Sequence, residues 1–271
     1  MSSTTDPLAF WQHRRNSIYS RKGGWRIGEA VYNHGYSMME ELVGEVSYFQ
    51  LMMLNVTGKL PERALAEWLE AAFICLSWPD SRIWCNQIGA LAGDSRASPV
   101  AATTAGILAS DSRLYGPGVL SNCMGFIQAA LLEVSAGTSI GSIVERTLQR
   151  GKGVPGYARP IAKGDERVTA MQRVGNKLEF EVGEYQHLAL SISDYLSEHH
   201  QESINFGGYM AAFLADQGLD IRSVYRISAC WVAAGVQACY AEAADNPAGS
   251  YLPLRCDDVI YCGRADRELL L

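Results

Sequence analysis

The fourteen residues from Gly151 to Gly164 hold four glycines, two prolines and three cations, Lys152, Arg159 and Lys163. Glycine and proline at that density cannot sustain a helix, so the segment predicts a long loop. Loops of that length inside a compact domain are usually functional or disordered. A flexible backbone with three cations suits an anion such as a phosphate or a carboxylate. A solvated connection that happens to be basic is the other reading. Competing chemistries have less support. No local context marks a Ser-His-Asp or Cys-His triad, and no G-x-G-x-x-G follows a strand. The seven cysteines are scattered without a C-x-x-C pair, and the five histidines complete no zinc spacing. Reduced, mostly buried thiols and no metal are expected.

The elements that must position this loop read as helices. Apolar residues at spacings of three and four from Met38 to Leu54 trace one stripe that stops at Gly58 to Pro61. Pro61 suits the first turn of the next helix, which carries Leu65, Trp68, Leu69, Phe73 and Leu76. Further helices are expected over 82–92, 97–110, 119–136, 139–150, 165–175, 182–200, 206–216 and 219–243. Those over 97–110 and 119–136 are rich in Ala, Gly, Ser and Thr, which allows close helix packing. Residues 251–263 read as extended. Period-two runs are nearly absent, so the fold is expected to be all-α. The segment from Trp78 to Cys85 suggests only two indoles packed around a turn. His199 and His200 fall at a helix C-terminus, where they suit the dipole. Arg96, before a small-residue helix, is a weak anion contact.

The 271 residues, 48% hydrophobic and 19% charged, can bury a large core in one domain or two lobes. Twenty-three Lys and Arg against 29 Asp and Glu give a net charge of -6. That balance disfavours nucleic acid as a partner. No apolar run approaches the roughly 18 residues of a membrane span, and the start lacks the pattern of a secretory signal. A cytoplasmic protein is expected.

Order along the chain adds a stronger signal. Residues 44–61 resemble the early helix of the citrate synthase superfamily, running into a G-x-L-P turn at Gly58–Pro61. His34, Gly35 and Tyr36 look like its R-G-Y element. Pro155 to Pro160 with Gly164 to Arg167 resembles the stretch P-G-F-G-H-R…D-P-R-A. Ser203 to Phe206 sits where the family has N-V-D-F, and Arg255 to Gly263 is similar to R-P-D-D-V-x-Y-V-G. The matches span roughly residues 25–265, and the length is closer to the citryl-CoA lyase-type members. The resemblance implies a citrate synthase-like, two-lobed helical subunit in a homodimer. Its large lobe would comprise 1–117 and 217–271, and its small lobe, 118–216, would carry the 151–164 loop. It implies a coenzyme A thioester and an oxo-acid as substrates, joined or parted at a carbon–carbon bond, with no permanently bound cofactor.

The departures from the family fall on its chemistry. Its L-H-G-G-A lies over Leu114 to Gly118, so Tyr115 replaces the first histidine. The second histidine falls on Arg159, or on Ala158 in a register slipped by one. The aspartate falls on Asn205, and an amide cannot accept and return a proton as a carboxylate does. Arg226 lies one residue from an expected carboxylate-binding position, whereas Arg255 keeps its place. The resemblance thus implies altered catalytic positions at Tyr115, Arg159 and Asn205, with His34, Lys163, Arg167 and Arg255 as substrate contacts. Tyr115 would donate a hydrogen bond to an oxyanion, Arg159 hold a carboxylate or enolate, and Asn205 orient a carbonyl. Each has a plainer reading: Tyr115 as a turn aromatic, Arg159 as a loop cation, Asn205 as a helix cap, and His34 as a scaffold residue. The same losses leave room for a catalytically silent homolog serving in binding, regulation or as a scaffold.

Overall fold

The computed structural model describes residues 7–151, 153–159 and 164–269. Lys152 and Lys163 lie outside the described residues. The chain divides into two compact units, Met1–Cys75 with Arg113–Ala229 and Leu76–Ser112 with Cys230–Leu271.

The first unit opens with α1 (Pro7–His13) and an antiparallel sheet of three short strands, β1 (Gly23–Arg26), β2 (Ala30–Asn33) and β3 (Tyr36–Ser37). The all-helical expectation left this sheet out, because four-residue and two-residue strands are too short to show a period of two. His34 and Gly35 join β2 to β3, with φ of +50° and +91°. Positive φ at both turn residues is the hairpin geometry that suits the twist of the strands.

The expected single stripe from Met38 to Leu54 is instead two helical pieces. A short π-helical turn spans Met38–Leu42, and α2 follows at Tyr48–Thr57. Gly44, at φ +88°, breaks the run. Ser47 then restarts it with a capping box, accepting from the Gln50 N–H while Gln50 Oε1 accepts from the Ser47 N–H. The next helix, α3 (Arg63–Leu76), starts two residues after Pro61.

After Arg113 the unit continues with α6 (Pro117–Ser135), α7 (Ile140–Gln149), α8 (Glu166–Lys177), α9 (Glu184–His200), α10 (Phe206–Asp216) and α11 (Ile221–Ile227). Nine of the eleven residues of α10 are buried, which makes it the helix the others surround. It packs against α6, α8 and α9. Its Phe213 stacks on Trp68 of α3, ring centroids 3.7 Å apart, and takes the edge of Phe180 at 5.1 Å. At its far end Asp216 accepts from the Tyr185 and Gln186 N–H groups, satisfying the first turn of α9. Glu145 on α7 accepts from Tyr195 and lies 2.7 Å from His200 Nε2 on α9. His200 therefore ties two helices together, beyond the dipole role expected for it.

α6 is long and apolar enough, by length and composition, to cross a membrane. Counting apolar runs passed over it because Ser121, Asn122, Gly125 and Gln128 interrupt the sequence. In the fold it packs against α7, α9, α10 and α11.

The second unit is built on α4 (Trp84–Asp94), α5 (Pro99–Ser110) and α12 (Ala233–Asp245). Small residues bring these three together: a Cβ on Gly89 or Gly106 would press on the side chain of Val236. The expected helix over 219–243 is broken, because a 3₁₀ turn at Ser228–Cys230 separates α11 from α12. Asn86 donates to the carbonyls of Trp78 and Asp80 and so holds the turn before α4. Trp78 and Trp84 are both exposed, so the turn is held by this buried amide and not by paired indoles. Arg96 donates to the carbonyls of Ala244 and Asn246 at the end of α12. It stabilises a helix C-terminus rather than an anion. Residues 251–263 are irregular apart from a 3₁₀ turn at Cys256–Asp258. Cys85, Cys123 and Cys239 are buried, but Cys230, Cys256 and Cys262 are exposed, so fewer thiols are buried than expected.

Candidate anion-binding cleft

Within the glycine loop, Val154 to Tyr157 form a turn closed by the Tyr157 N–H donating to the Val154 carbonyl at 3.1 Å. Tyr157 pairs with Ile204 in an isolated antiparallel bridge. The Ala158 N–H donates to the Ser203 carbonyl at 3.0 Å, and the Asn205 N–H to the Gly156 carbonyl at 2.9 Å. Two glycines make this contact possible. Gly156 sits at φ +90°, and a Cβ there would come 2.7 Å from the Gly208 Cα. The Tyr157 hydroxyl donates to the Ala189 carbonyl, and burial pushes its pKa far above the ordinary phenol value. Burial likewise pushes the thiol of neighbouring Cys123 up to about 12, which keeps it unreactive.

Asn205 is the N-cap of α10. Its Oδ1 accepts from the Gly208 N–H at 3.0 Å, and its Nδ2 donates to the Ala158 carbonyl at 2.9 Å. The amide thus caps a helix and straps the loop at the same time. Replacing Asn205 by Ala is expected to cost about 1–2 kcal/mol of stability, the usual worth of such a cap. Urea denaturation of the variant against the parent measures it.

Asp165 organises the cations. It caps α8, and its side chain is 0% exposed. Arg167 grips it with two bonds of 2.8 and 2.7 Å, and the Phe206 N–H donates to Oδ2 at 2.9 Å. Arg159 Nη1 lies 3.8 Å from the other oxygen. Burial alone would raise the Asp165 pKa, but the hydrogen bonds and charge of Arg167, the Phe206 amide and the charge of Arg159 hold it below the ordinary value. For Arg167, burial works against the charge and Asp165 more than offsets it, so its pKa is raised. Arg167 also lies over the Phe206 ring at 4.9 Å. Tyr115, half-buried just before α6, is near enough to Arg167 to interact with it electrostatically.

Arg159 turns inward, with 11% of its side chain exposed, while Ala158 beside it is exposed at φ +69°. The Arg159 guanidinium takes Glu166 by both oxygens, at 2.5 and 3.3 Å. A cleft of about 350 Å³ opens here, lined by Ala158, Arg159, Gly164, Gln201, Ser203 and Asn205, among others.

The fold therefore gathers Arg159 and Arg167 on Asp165, with Asn205 next in sequence to the Phe206 whose N–H also holds that carboxylate. Asp165 and Glu166 stand in the motif of the glycine loop, yet sequence reasoning gave them no role. The signal available was the Asp-x-Arg spacing, which lets Arg167 fold back on the cap of its own helix. His34 lies in the hairpin, its ring close to Gly58 and its Nε2 buried without a hydrogen-bond partner. Arg226 is exposed on α11. Arg255 is exposed in the second unit, where its N–H donates to Asp258. Of the expected site residues in the first unit, Arg159 and Asn205 line the cleft, whereas Tyr115, Arg167 and His34 do not.

No protein-family model matches the sequence, and no curated protein does. Solved structures do. A bundle around a buried helix, with a glycine loop strapped to that helix's N-terminus, is here the fold of the citrate synthase superfamily. Among solved structures of that fold, the chain is like the short citryl-CoA lyase type in length and coverage. It is similar to citryl-CoA lyase from Hydrogenobacter thermophilus, with a TM-score of 0.79 and 25% identity over 93% of this chain and 97% of that one. ATP citrate lyase from Methanothrix soehngenii, solved with citrate and coenzyme A, gives 0.76 at 16% identity. That match covers 97% of this chain but 45% of the other. Citrate synthase from Thermoplasma acidophilum, in ternary complex with carboxymethyl coenzyme A and oxaloacetate, gives 0.62 at 14% identity over 83% and 59%.

Proposed function

We propose that the protein cleaves or forms a carbon–carbon bond between an acyl-CoA and an oxo-acid, with citryl-CoA as the first substrate to try. The observation that carries this reading is the near end-to-end likeness to citryl-CoA lyase. The cations gathered beside the cleft add to it. In the cleavage direction the bond between the thioester α-carbon and the carbinol carbon breaks. The hydroxyl loses its proton and becomes the ketone of oxaloacetate. The electron pair left on the α-carbon, delocalised as the thioester enolate, takes a proton and gives acetyl-CoA. In this reading Tyr115 donates a hydrogen bond where the enolate oxygen gains charge. Arg159 holds a carboxylate, Asn205 orients the acceptor carbonyl, and Arg167, bound to Asp165, is proposed as a further contact on the resemblance alone. Since an amide does not carry protons, the hydroxyl proton leaves to the solvent of the cleft. Lys163, Arg255 and His34 are proposed as further substrate contacts on the resemblance alone.

A small lobe of 118–216 carrying the glycine loop is proposed on the resemblance alone, since in the fold these helices belong to one compact unit with residues 1–75. A cytoplasmic homodimer, acting on a coenzyme A thioester and a small carboxylate with no permanent cofactor, completes the reading. Turnover of citryl-CoA, followed by the oxaloacetate released, tests it. Saturable turnover that falls at least tenfold in Arg159→Ala is expected, given that Arg159 holds a reacting carboxylate.

A second reading has an observation of its own: Arg159 and both ends of the Asn205 amide are engaged inside the protein. A catalytically silent homolog would bind coenzyme A or dicarboxylates without turning citryl-CoA over.

A further inference from the structure

Arg159 is almost buried, yet the carboxylate it grips is the exposed one. The buried Asp165 gives its close contacts to Arg167 and to the Phe206 amide, and Arg159 reaches it only at 3.8 Å. Glu166, 69% exposed, supplies both of its oxygens to Arg159 instead. Two guanidinium groups thus face two carboxylates, and the cluster is neutral only while Glu166 is in place. With Glu166 turned away, one positive charge is left over at the wall of the cleft, in the planar fork that best matches a carboxylate.

We infer that Glu166 is a built-in occupant of the carboxylate place on Arg159, which an incoming anionic ligand must displace. It thereby sets the affinity threshold and the specificity of the cleft. This rests on the reading of Arg159 as the group that holds a substrate carboxylate. The two acidic residues are unequal in their freedom to leave. Asp165 is fully buried and bonded from three sides. Glu166 stands in the first turn of α8 with its chain in water, so the released carboxylate keeps a favourable place beside the helix N-terminus. With one partner in water the pair is weaker than a buried one, and a ligand that offers two oxygens to the fork replaces it on equal terms. A compact anion such as chloride cannot span the fork, so the device favours carboxylates over simple anions.

The experiment is a calorimetric titration of the full chain with malonate, a small dicarboxylate probe that undergoes no reaction. Glu166→Gln and Glu166→Ala should bind malonate about two- to fivefold more tightly than the parent, the fold-change that corresponds to one ion pair with a solvated partner. Arg159→Ala should abolish binding with or without the change at Glu166. Chloride should not compete in either background. Equal or weaker binding by both Glu166 variants overturns the inference, because Glu166 then supports Arg159 rather than occupying it. Absence of malonate binding in every variant overturns it as well. If citryl-CoA is not turned over while the Glu166 variants still tighten malonate, the reaction reading fails and this inference stands.

Discussion

Asp165→Ala should lower the unfolding free energy by about 3–5 kcal/mol, the usual cost of removing one partner from a buried ion pair. The side chain is fully enclosed, and its removal strands Arg167, the Phe206 N–H and the inner face of Arg159 together. Asp165→Asn keeps one acceptor oxygen but no charge, so it should fall between the parent and the alanine variant. The effect has a pH signature. The folded carboxyl lies below its ordinary value, so the unfolded chain binds its proton first as pH falls. The stabilisation is complete above about pH 4, near the ordinary aspartate value, and is lost as pH falls through the lowered folded value. Urea denaturation across that range should show a steep loss for the parent and a shallower one for Asp165→Ala. Parallel curves would remove Asp165 from the centre of the account.

The second large effect concerns backbone contact rather than charge. A Cβ on Gly208 would overlap the Gly156 carbonyl, and Gly156 itself holds a φ that side-chain-bearing residues resist. Gly208→Ala should therefore cost about 1–3 kcal/mol, the range for overpacking a close contact. It should also weaken ligand binding, because the loop it displaces carries Ala158 and Arg159. Gly207→Ala is the matched control. Its Cβ would meet only the Asn205 Oδ1 at 3.3 Å and the Cys123 Sγ at 3.7 Å, which side-chain adjustment can absorb. Thermal unfolding of the two variants separates a general dislike of alanine at this helix start from a specific loss of the loop contact. Equal losses would contradict the contact.

Much of the fold was legible where a helix carries its own start signal. Asn205 before an apolar run marks α10, and the helix begins at the next residue with that amide as its cap. Ser98 and Ser139 cap α5 and α7 in the same way, a signal that the expected helices over 97–110 and 139–150 did not use. Two boundaries escaped because the local pattern was continuous while tertiary structure broke it. The apolar stripe through Met38 and Leu54 gave no weight to Gly44, whose positive φ splits it. The Ala-rich run from 219 to 243 has no glycine or proline at the 3₁₀ turn over Ser228–Cys230. The small sheet escaped because its strands, of four, four and two residues, are too short to show an alternating pattern.

At the site, the ordered motifs located the loop and the start of α10. What they did not show is which charges face each other. Arg159 and Arg167 read as two loose cations in sequence, but the fold points both at the buried Asp165 and leaves Glu166 to complete the pairing. That balance depends on side-chain burial, which residue spacing does not encode. Asn205 shows the reverse case: its type fits both a cap and a substrate contact, and the structure shows the cap being made.

The central claim is that this cleft receives a substrate carboxylate on Arg159. A crystal structure of the protein soaked with coenzyme A and oxaloacetate tests it most directly. The account predicts an oxaloacetate carboxylate within hydrogen-bond distance of Arg159, Glu166 turned into solvent, and Tyr115 and Asn205 bordering the same cavity. Oxaloacetate bound elsewhere, with Arg159 still paired to Glu166, would contradict it.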